Sequence, residues 1–182
     1  MYTNKVGRLM LATLLAAGMG GAWSAEDPLV ECKFIAALTD SDPAGSAVRD
    51  KPALEARVVA RLNGVSSDIV TVTGFQNGWF RVSEAENDPD PPQKSKTVFK
   101  GPGFVAAGLL SREVSVKDKT SGALYEEPSV KSKLTANLQP EGLVHIVACK
   151  GAWLKLRGHV AADVVEGWMP ADSTCLSTRS TC

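Results

Sequence analysis

Apolar and polar residues alternate along this chain in short runs broken by turn residues. They nowhere hold the three-to-four-residue spacing of a long amphipathic helix. Residues 30–38, Val-Glu-Cys-Lys-Phe-Ile-Ala-Ala-Leu, read as a first, well-buried strand. Residues 39–45 are dense in Asp, Ser, Pro and Gly, whose side chains satisfy nearby backbone groups or set its torsions, and they predict a long mobile loop. Ala47 to Pro52 opens a segment whose strand-like residues 57–62 meet an Asn63-Gly64 turn signal. A β-branched run at 69–73 follows, then a turn at 75–78 and a strand from Trp79 to Val82. Residues 84–100 interrupt the rhythm. Glu84, Glu86, Asp88 and Asp90, then Pro91, Pro92 and several lysines, predict a solvated insertion, after which residues 103–110 close the unit.

The order then recurs. A second unit starts at Val114-Ser-Val116 and runs through Ala123 to Pro128, Ala136-Asn137, Val144 to Val147, Gly151-Ala-Trp153-Leu-Lys-Leu156 and Gly167-Trp168-Met169. Pro52 and Pro128 stand 76 residues apart and Trp79 and Trp153 stand 74 apart (128 − 52 and 153 − 79). A near-constant offset over several features predicts an internal duplication.

The residues Ala47-Val-Arg-Asp-Lys-Pro52, Gly78-Trp79-Phe-Arg-Val82 and Gly103-Phe-Val105 together resemble the bacterial SH3-like (SH3b) domain family. The second unit resembles it at Gly151-Ala-Trp153 and Gly167-Trp168, with Tyr125-Glu126 where the family usually has Val-Arg. The resemblance implies an all-β protein of two small SH3-like barrels in tandem, an architecture often attached to cell-wall enzymes or used alone to bind envelope components. The expected division is a signal peptide at 1–25, one unit at 26–111 with an N-terminal extension and inserted loop, a second at 112–175, and a tail at 176–182. Closure of each barrel would protect strand edges.

Composition, at 44% hydrophobic and 22% charged, is that of an ordinary globular chain. Lys5 and Arg8 precede an apolar run from Leu9 to about Ala17, followed by small residues to Ser24-Ala25, which is the order of a cleaved secretory signal. The run is shorter than the ~20 residues that span a bilayer, so no stable membrane insertion is expected after cleavage. Cleavage leaves 18 basic residues (20 − 2) against 20 acidic, with no basic run to displace counterions from a polyanion, so nucleic acid is not an expected partner. All four cysteines, Cys32, Cys149, Cys175 and Cys182, lie beyond the leader and predict two disulfides in an oxidising compartment, periplasmic or secreted. Of three connectivities, the favoured one joins Cys32 to Cys149 and Cys175 to Cys182.

Catalytic chemistry finds little support. His145 and His159 do not form a metal-binding spacing, no close Cys pair suggests zinc, and the carboxylates at 84–90 lack the turn and closing ligand of a calcium loop. Cys149 lies near His145 in sequence, but a nucleophilic thiolate needs an electropositive, protected setting, and a disulfide is the stronger reading. Glu126-Glu127 precedes Pro128 in a turn and reads as solvated, and no glycine-rich nucleotide loop is present. No enzyme activity, cofactor or metal is expected.

The expected function is that of an exported noncatalytic protein binding a cell-envelope ligand, either a cell-wall (peptidoglycan) peptide or an envelope protein. The alternative is a periplasmic inhibitor or immunity protein against a wall-degrading toxin. Trp79, Tyr125 and Trp153 are the candidate contact residues, each open to a purely structural role in the core.

Overall fold

A computed structural model describes residues 27–63, 68–87, 94–115, 122–140 and 142–176. The signal segment, Gly64, residues 88–93, Val116 and Cys182 lie outside these residues. The described chain is all-β. Its elements are β1 (Val30–Leu38), β2 (Ser46–Arg49), β3 (Val58–Leu62), β4 (Ile69–Gln76), β5 (Trp79–Glu86), β6 (Thr97–Ala106), β7 (Leu110–Val114), β8 (Ala123–Tyr125), β9 (Leu134–Asn137), β10 (Leu143–Lys150), β11 (Trp153–Val160), β12 (Asp163–Pro170) and β13 (Thr174–Cys175), with one 3-10 turn at Ala171–Ser173. Two-residue connections join β4 to β5, β10 to β11 and β11 to β12, and these neighbours pair antiparallel.

The strands hydrogen-bond in the order β3-β2-β6-β5-β4-β1-β7-β10-β11-β12-β8-β9, and β13 pairs with β7. Read inward from its two ends, this ladder visits the same six elements twice. The register is duplicated as well. Val72↔Val82, Gly74↔Arg81, Phe75↔Phe80 and Gln76↔Trp79 in β4–β5 correspond to Ile146↔Leu156, Ala148↔Lys155, Cys149↔Leu154 and Lys150↔Trp153 in β10–β11. Each pairing skips one residue at the same place, Thr73 in the first half and Val147 in the second. Such a bulge bends the strand and increases its twist. Likewise Phe80↔Val105 and Val82↔Gly103 match Leu154↔Met169 and Leu156↔Gly167.

The hairpins at the two ends of the ladder also match. Val48↔Ala60 and Arg49↔Val58 correspond to Leu124↔Ala136 and Tyr125↔Leu134, with the irregularity between the same two pairs. Leu124-Tyr125, rather than Tyr125-Glu126, therefore occupies the place of Val48-Arg49. The 76-residue offset between Pro52 and Pro128 carries Val48-Arg49 onto these same two residues.

A buried cluster runs through both halves and includes Val48, Val72, Phe80, Val82 and Val105 with their counterparts Leu124, Ile146, Leu154, Leu156 and Met169. Larger residues on one side are matched by differently shaped ones on the other, which a packed core tolerates when total volume is kept. Gly103 and Gly167 mark matched close crossings. A Cβ on Gly103 would collide with Val48 Cγ1, and one on Gly167 would lie 2.9 Å from Leu124 Cβ. The same close approach is thus conserved between the halves by the same residue.

The halves meet where β1 pairs with β7 through Ala37↔Ser111 and Leu38↔Leu110. Arg112 fastens this seam by donating from Nη1 to the Ile35 carbonyl at 2.6 Å and from Nη2 to the Thr174 carbonyl at 2.7 Å. Desolvation pushes its pKa down from the ordinary arginine value. Cys32 on β1 is disulfide-bonded to Cys149 on β10, with the Cα atoms 6.1 Å apart and both residues buried. A bridge spanning 117 residues of sequence removes much conformational freedom from the unfolded chain.

Two sequence expectations change in the fold. Residues 39–45 are tied down rather than loose: Asp40 Oδ1 accepts from the Asp42 N–H, Asp42 Oδ1 from the Ala44 N–H, and Gly45 N–H donates to the Asp42 carbonyl. Aspartates that looked like signs of mobility instead supply the local acceptors that order the turn. The insertion also begins and ends as sheet. Glu84↔Lys100, Ala85↔Phe99 and Glu86↔Thr97 extend the β5–β6 ladder, anchored by Ala85 in the core.

Candidate functional site

Trp79 begins β5 directly after the Asn77-Gly78 turn, where both residues have positive φ (52° and 79°). That two-residue turn suits the twist of a hairpin and sets Trp79 opposite Gln76. The indole is only 8% exposed and lies in a cleft of about 250 Å³. Arg49 from β2 stands over it, the guanidinium carbon 6.0 Å from the ring centroid. Its Nη1 donates to the Ala56 carbonyl at 2.6 Å, so the cation is fixed against the aromatic face.

The rest of the cleft is charged and polar at its rim. Asp40 and Asp42 come from the ordered turn after β1, and Arg61 comes from β3. The Ser46 hydroxyl, itself buried, donates to Asp40 Oδ2 at 2.5 Å, and this bond with the Asp42 N–H holds the Asp40 carboxyl below its usual range. Arg61 Nη1 donates to the Gly45 carbonyl at 2.9 Å. Leu54, 72% exposed, adds an apolar lip. The arrangement presents a small aromatic and aliphatic surface between fixed carboxylates and fixed guanidinium groups.

In the second half, Tyr125 holds the position of Arg49 and Trp153 that of Trp79. Their rings meet edge to face, 5.9 Å apart at 84°. Trp168 pairs with Tyr125 in register, so this surface is aromatic where the first is cationic. The three aromatic candidates therefore do not converge: Tyr125 and Trp153 touch, whereas β4, β1, β7 and β10 lie between the strand of Trp79 and that of Trp153. Sequence reasoning missed Arg49, Asp40, Asp42 and Arg61 as site residues. The opening motif containing Arg49 was visible, but its contact with Trp79 depends on strands that are far apart in sequence.

The cysteines divide between described and undescribed chain. Cys32 and Cys149 are joined, so Cys149 carries no thiolate in this state. Cys175 is not a free thiol, and its expected partner Cys182 lies outside the described residues. His145 pairs in register with Ser111 and Arg157, and its Nδ1 and the Ser111 hydroxyl are buried without hydrogen-bond partners among the described residues. The described residues contain no group of three or more His, Cys, Asp or Glu side chains able to hold a metal. Among them no helix is long and apolar enough to cross a membrane. The buried disulfide fits an extracytoplasmic, oxidising compartment.

No curated protein matches the chain. Among solved structures, NlpC1 from Trichomonas vaginalis is 15% identical, with 92% of this chain and 51% of that one covered at a TM-score of 0.30. NlpC2 from the same organism is also 15% identical, with 79% and 48% covered and a TM-score of 0.28. The chain thus spans about half the length of those two proteins. Residues 118–171 match the bacterial SH3 domain family. A bacterial SH3 domain is thereby found over the span that holds β8 to β12, and with them Tyr125, Trp153 and Trp168.

Proposed function

We propose that this is an exported, noncatalytic protein of two SH3-like units in tandem, β7 opening the second, which binds a cell-envelope peptide in the Trp79 cleft. The duplicated strand order and register support reading the first half as a divergent copy of the domain matched at 118–171. One observation carries the site: a fixed guanidinium over an indole, facing fixed carboxylates across about 250 Å³. Such a cleft suits a short peptide that presents both an ammonium and a carboxylate near an apolar group, as wall peptides and the termini of envelope proteins do. The disulfide and the leader-like residues 1–25 support an extracytoplasmic location.

The test is cosedimentation of the mature, disulfide-bonded protein with purified peptidoglycan, alongside a pulldown from envelope extract. Retention by one of them is expected, reduced about tenfold or more by Asp40→Asn with Arg49→Gln, since charge-assisted hydrogen bonds contribute about 1.5–3 kcal/mol. Equal retention of wild type and this double variant removes the cleft from the reading. Soluble product released from the wall during incubation overturns the noncatalytic assignment. Specific capture of a wall hydrolase, with inhibition, transfers the protein to the inhibitor class.

A further inference from the structure

Farther along β5 from Trp79, two cavities of about 440 and 390 Å³ adjoin at Thr73, the bulge residue of β4. The first lies at the seam of the two halves, where Cys32 bridges in register to Gly151 and the Gly151 N–H donates to the Glu31 carbonyl at 3.3 Å. The second runs over β5 and β6. Lys33 lines one end, Lys100 the other, and Arg81 the middle. Glu31 is the single carboxylate among the residues lining the two.

Arg81 is held in place by its neighbour. Nε donates to Thr73 Oγ1 at 2.9 Å, Nη2 to the Thr73 carbonyl at 3.3 Å, and Thr73 Oγ1 donates in turn to the Arg81 carbonyl at 3.3 Å. No ion pair reaches Arg81, Lys33 or Lys100 among the described residues. The matching place in the second half shows what is different. There Lys155 takes the position of Arg81, and Glu166, one residue before Gly167, binds Lys155 at 2.7 Å and Arg157 at 2.9 Å. One residue before Gly103, the first half has Pro102, which has no charge, and its bulge residue is Thr73 in place of the apolar Val147. The first half thus holds its cation in a fixed orientation without the acid that neutralises the matching cation in the second.

We propose that the two cavities form one groove for an extended acidic peptide. A central carboxylate is taken by Arg81, and flanking carboxylates meet Lys33 and Lys100. A planar, fixed guanidinium is suited to a carboxylate, whereas the flexible lysines act as less directional charges at each end. The exposed Pro102 and Ala152 between them are apolar and accommodate the intervening small side chains. Together the cavities exceed what a single small anion fills. This site is separate from the Trp79 cleft and stands whether or not that cleft binds a wall peptide.

The deciding experiment measures fluorescence anisotropy of labelled Glu-Ala-Glu-Ala-Glu and Lys-Ala-Lys-Ala-Lys peptides with the mature, disulfide-bonded protein at about 0.1 M salt. The acidic peptide should bind and the basic one should not. Arg81→Gln should weaken binding about tenfold or more. Pro102→Glu should do the same by supplying the acid that the second half already carries, which also makes it a variant the fold accepts. Lys155→Gln should leave the affinity unchanged. Equal binding of the two peptides, or wild-type affinity in Pro102→Glu, overturns the proposal. Displacement of the acidic peptide by an equimolar amount of inorganic phosphate also overturns it, assigning the groove to a small anion.

Discussion

The two halves share a register that keeps step across three pairs of strands, yet almost every outward-facing pair differs. Arg49 over Trp79 becomes Tyr125 against Trp153, and Arg81 beside Pro102 becomes Lys155 beside Glu166. Inward, the substitutions stay within one chemistry: Val82 to Leu156, Val105 to Met169, Phe80 to Leu154. The difference follows from where each constraint acts. Buried positions must fill a fixed volume, whereas an outer position is free to change charge once its backbone partner is satisfied. Around the matched tryptophans the first half presents a cation and the second an aromatic ring.

The largest expected effect tests whether the halves are one folding unit. Phe80 and Leu154 are matched, fully buried and in the same cluster. Phe80→Ala should cost about 3–5 kcal/mol and Leu154→Ala about 2–5 kcal/mol. In urea unfolding followed by tryptophan fluorescence, each should shift a single transition, because β1–β7 pairing, Arg112 and the Cys32–Cys149 bond tie the halves together. Two transitions, with only one moved by each variant, would show that the shared core does not couple them.

A smaller effect distinguishes conserved geometry from coincidence. Gly103→Ala and Gly167→Ala each place a methyl group against the facing core residue, Val48 and Leu124 respectively. Each should lose about 1–3 kcal/mol, the usual cost of overpacking. Gly103→Ala should be the worse of the two, since its added Cβ meets its neighbour more closely. A neutral result at either position, read from the urea midpoint, breaks the structural equivalence of that crossing.

Strand chemistry and turns were legible in the sequence because each depends on residues close together. The Cys32–Cys149 bond was also anticipated from the cysteine count and compartment. The alignment of Tyr125 with Arg49 follows from the 76-residue offset, but its pairing with Trp168 was not legible, because it joins β8 to β12 across the intervening strands β9 to β11. The Trp79 cleft was half visible. Its indole announced itself, but Asp40, Arg49 and Arg61 reach it from three separate segments, and no local pattern ties a turn after β1 to strands β2 and β3. The groove at Arg81 was hidden for a different reason: it is recognised by the absence of an acid at Pro102, which has meaning only beside Glu166.

The smallest effect isolates that acid. Bonds from Lys155 first and Arg157 second outweigh its desolvation and hold the Glu166 carboxyl below its ordinary value of 4.5. Its folded pKa is depressed, so the stabilisation is fully present above the ordinary value of 4.5. It is lost as pH falls through the folded pKa. The pair is partly solvent-exposed and screened, and its contribution is expected to be about 0.2–1 kcal/mol. Glu166→Gln should lower stability by that amount near neutral pH and by progressively less as the solution is acidified below the ordinary glutamate value. Pro102→Glu should create the same acid-side dependence in the first half, by giving Arg81 the partner that Lys155 already has. Urea titrations of the three proteins across the acid range measure both changes. If Glu166→Gln differs from wild type equally at neutral pH and well below pH 4.5, the carboxylate charge is not what stabilises the second half, and the electrostatic contrast between the halves fails there.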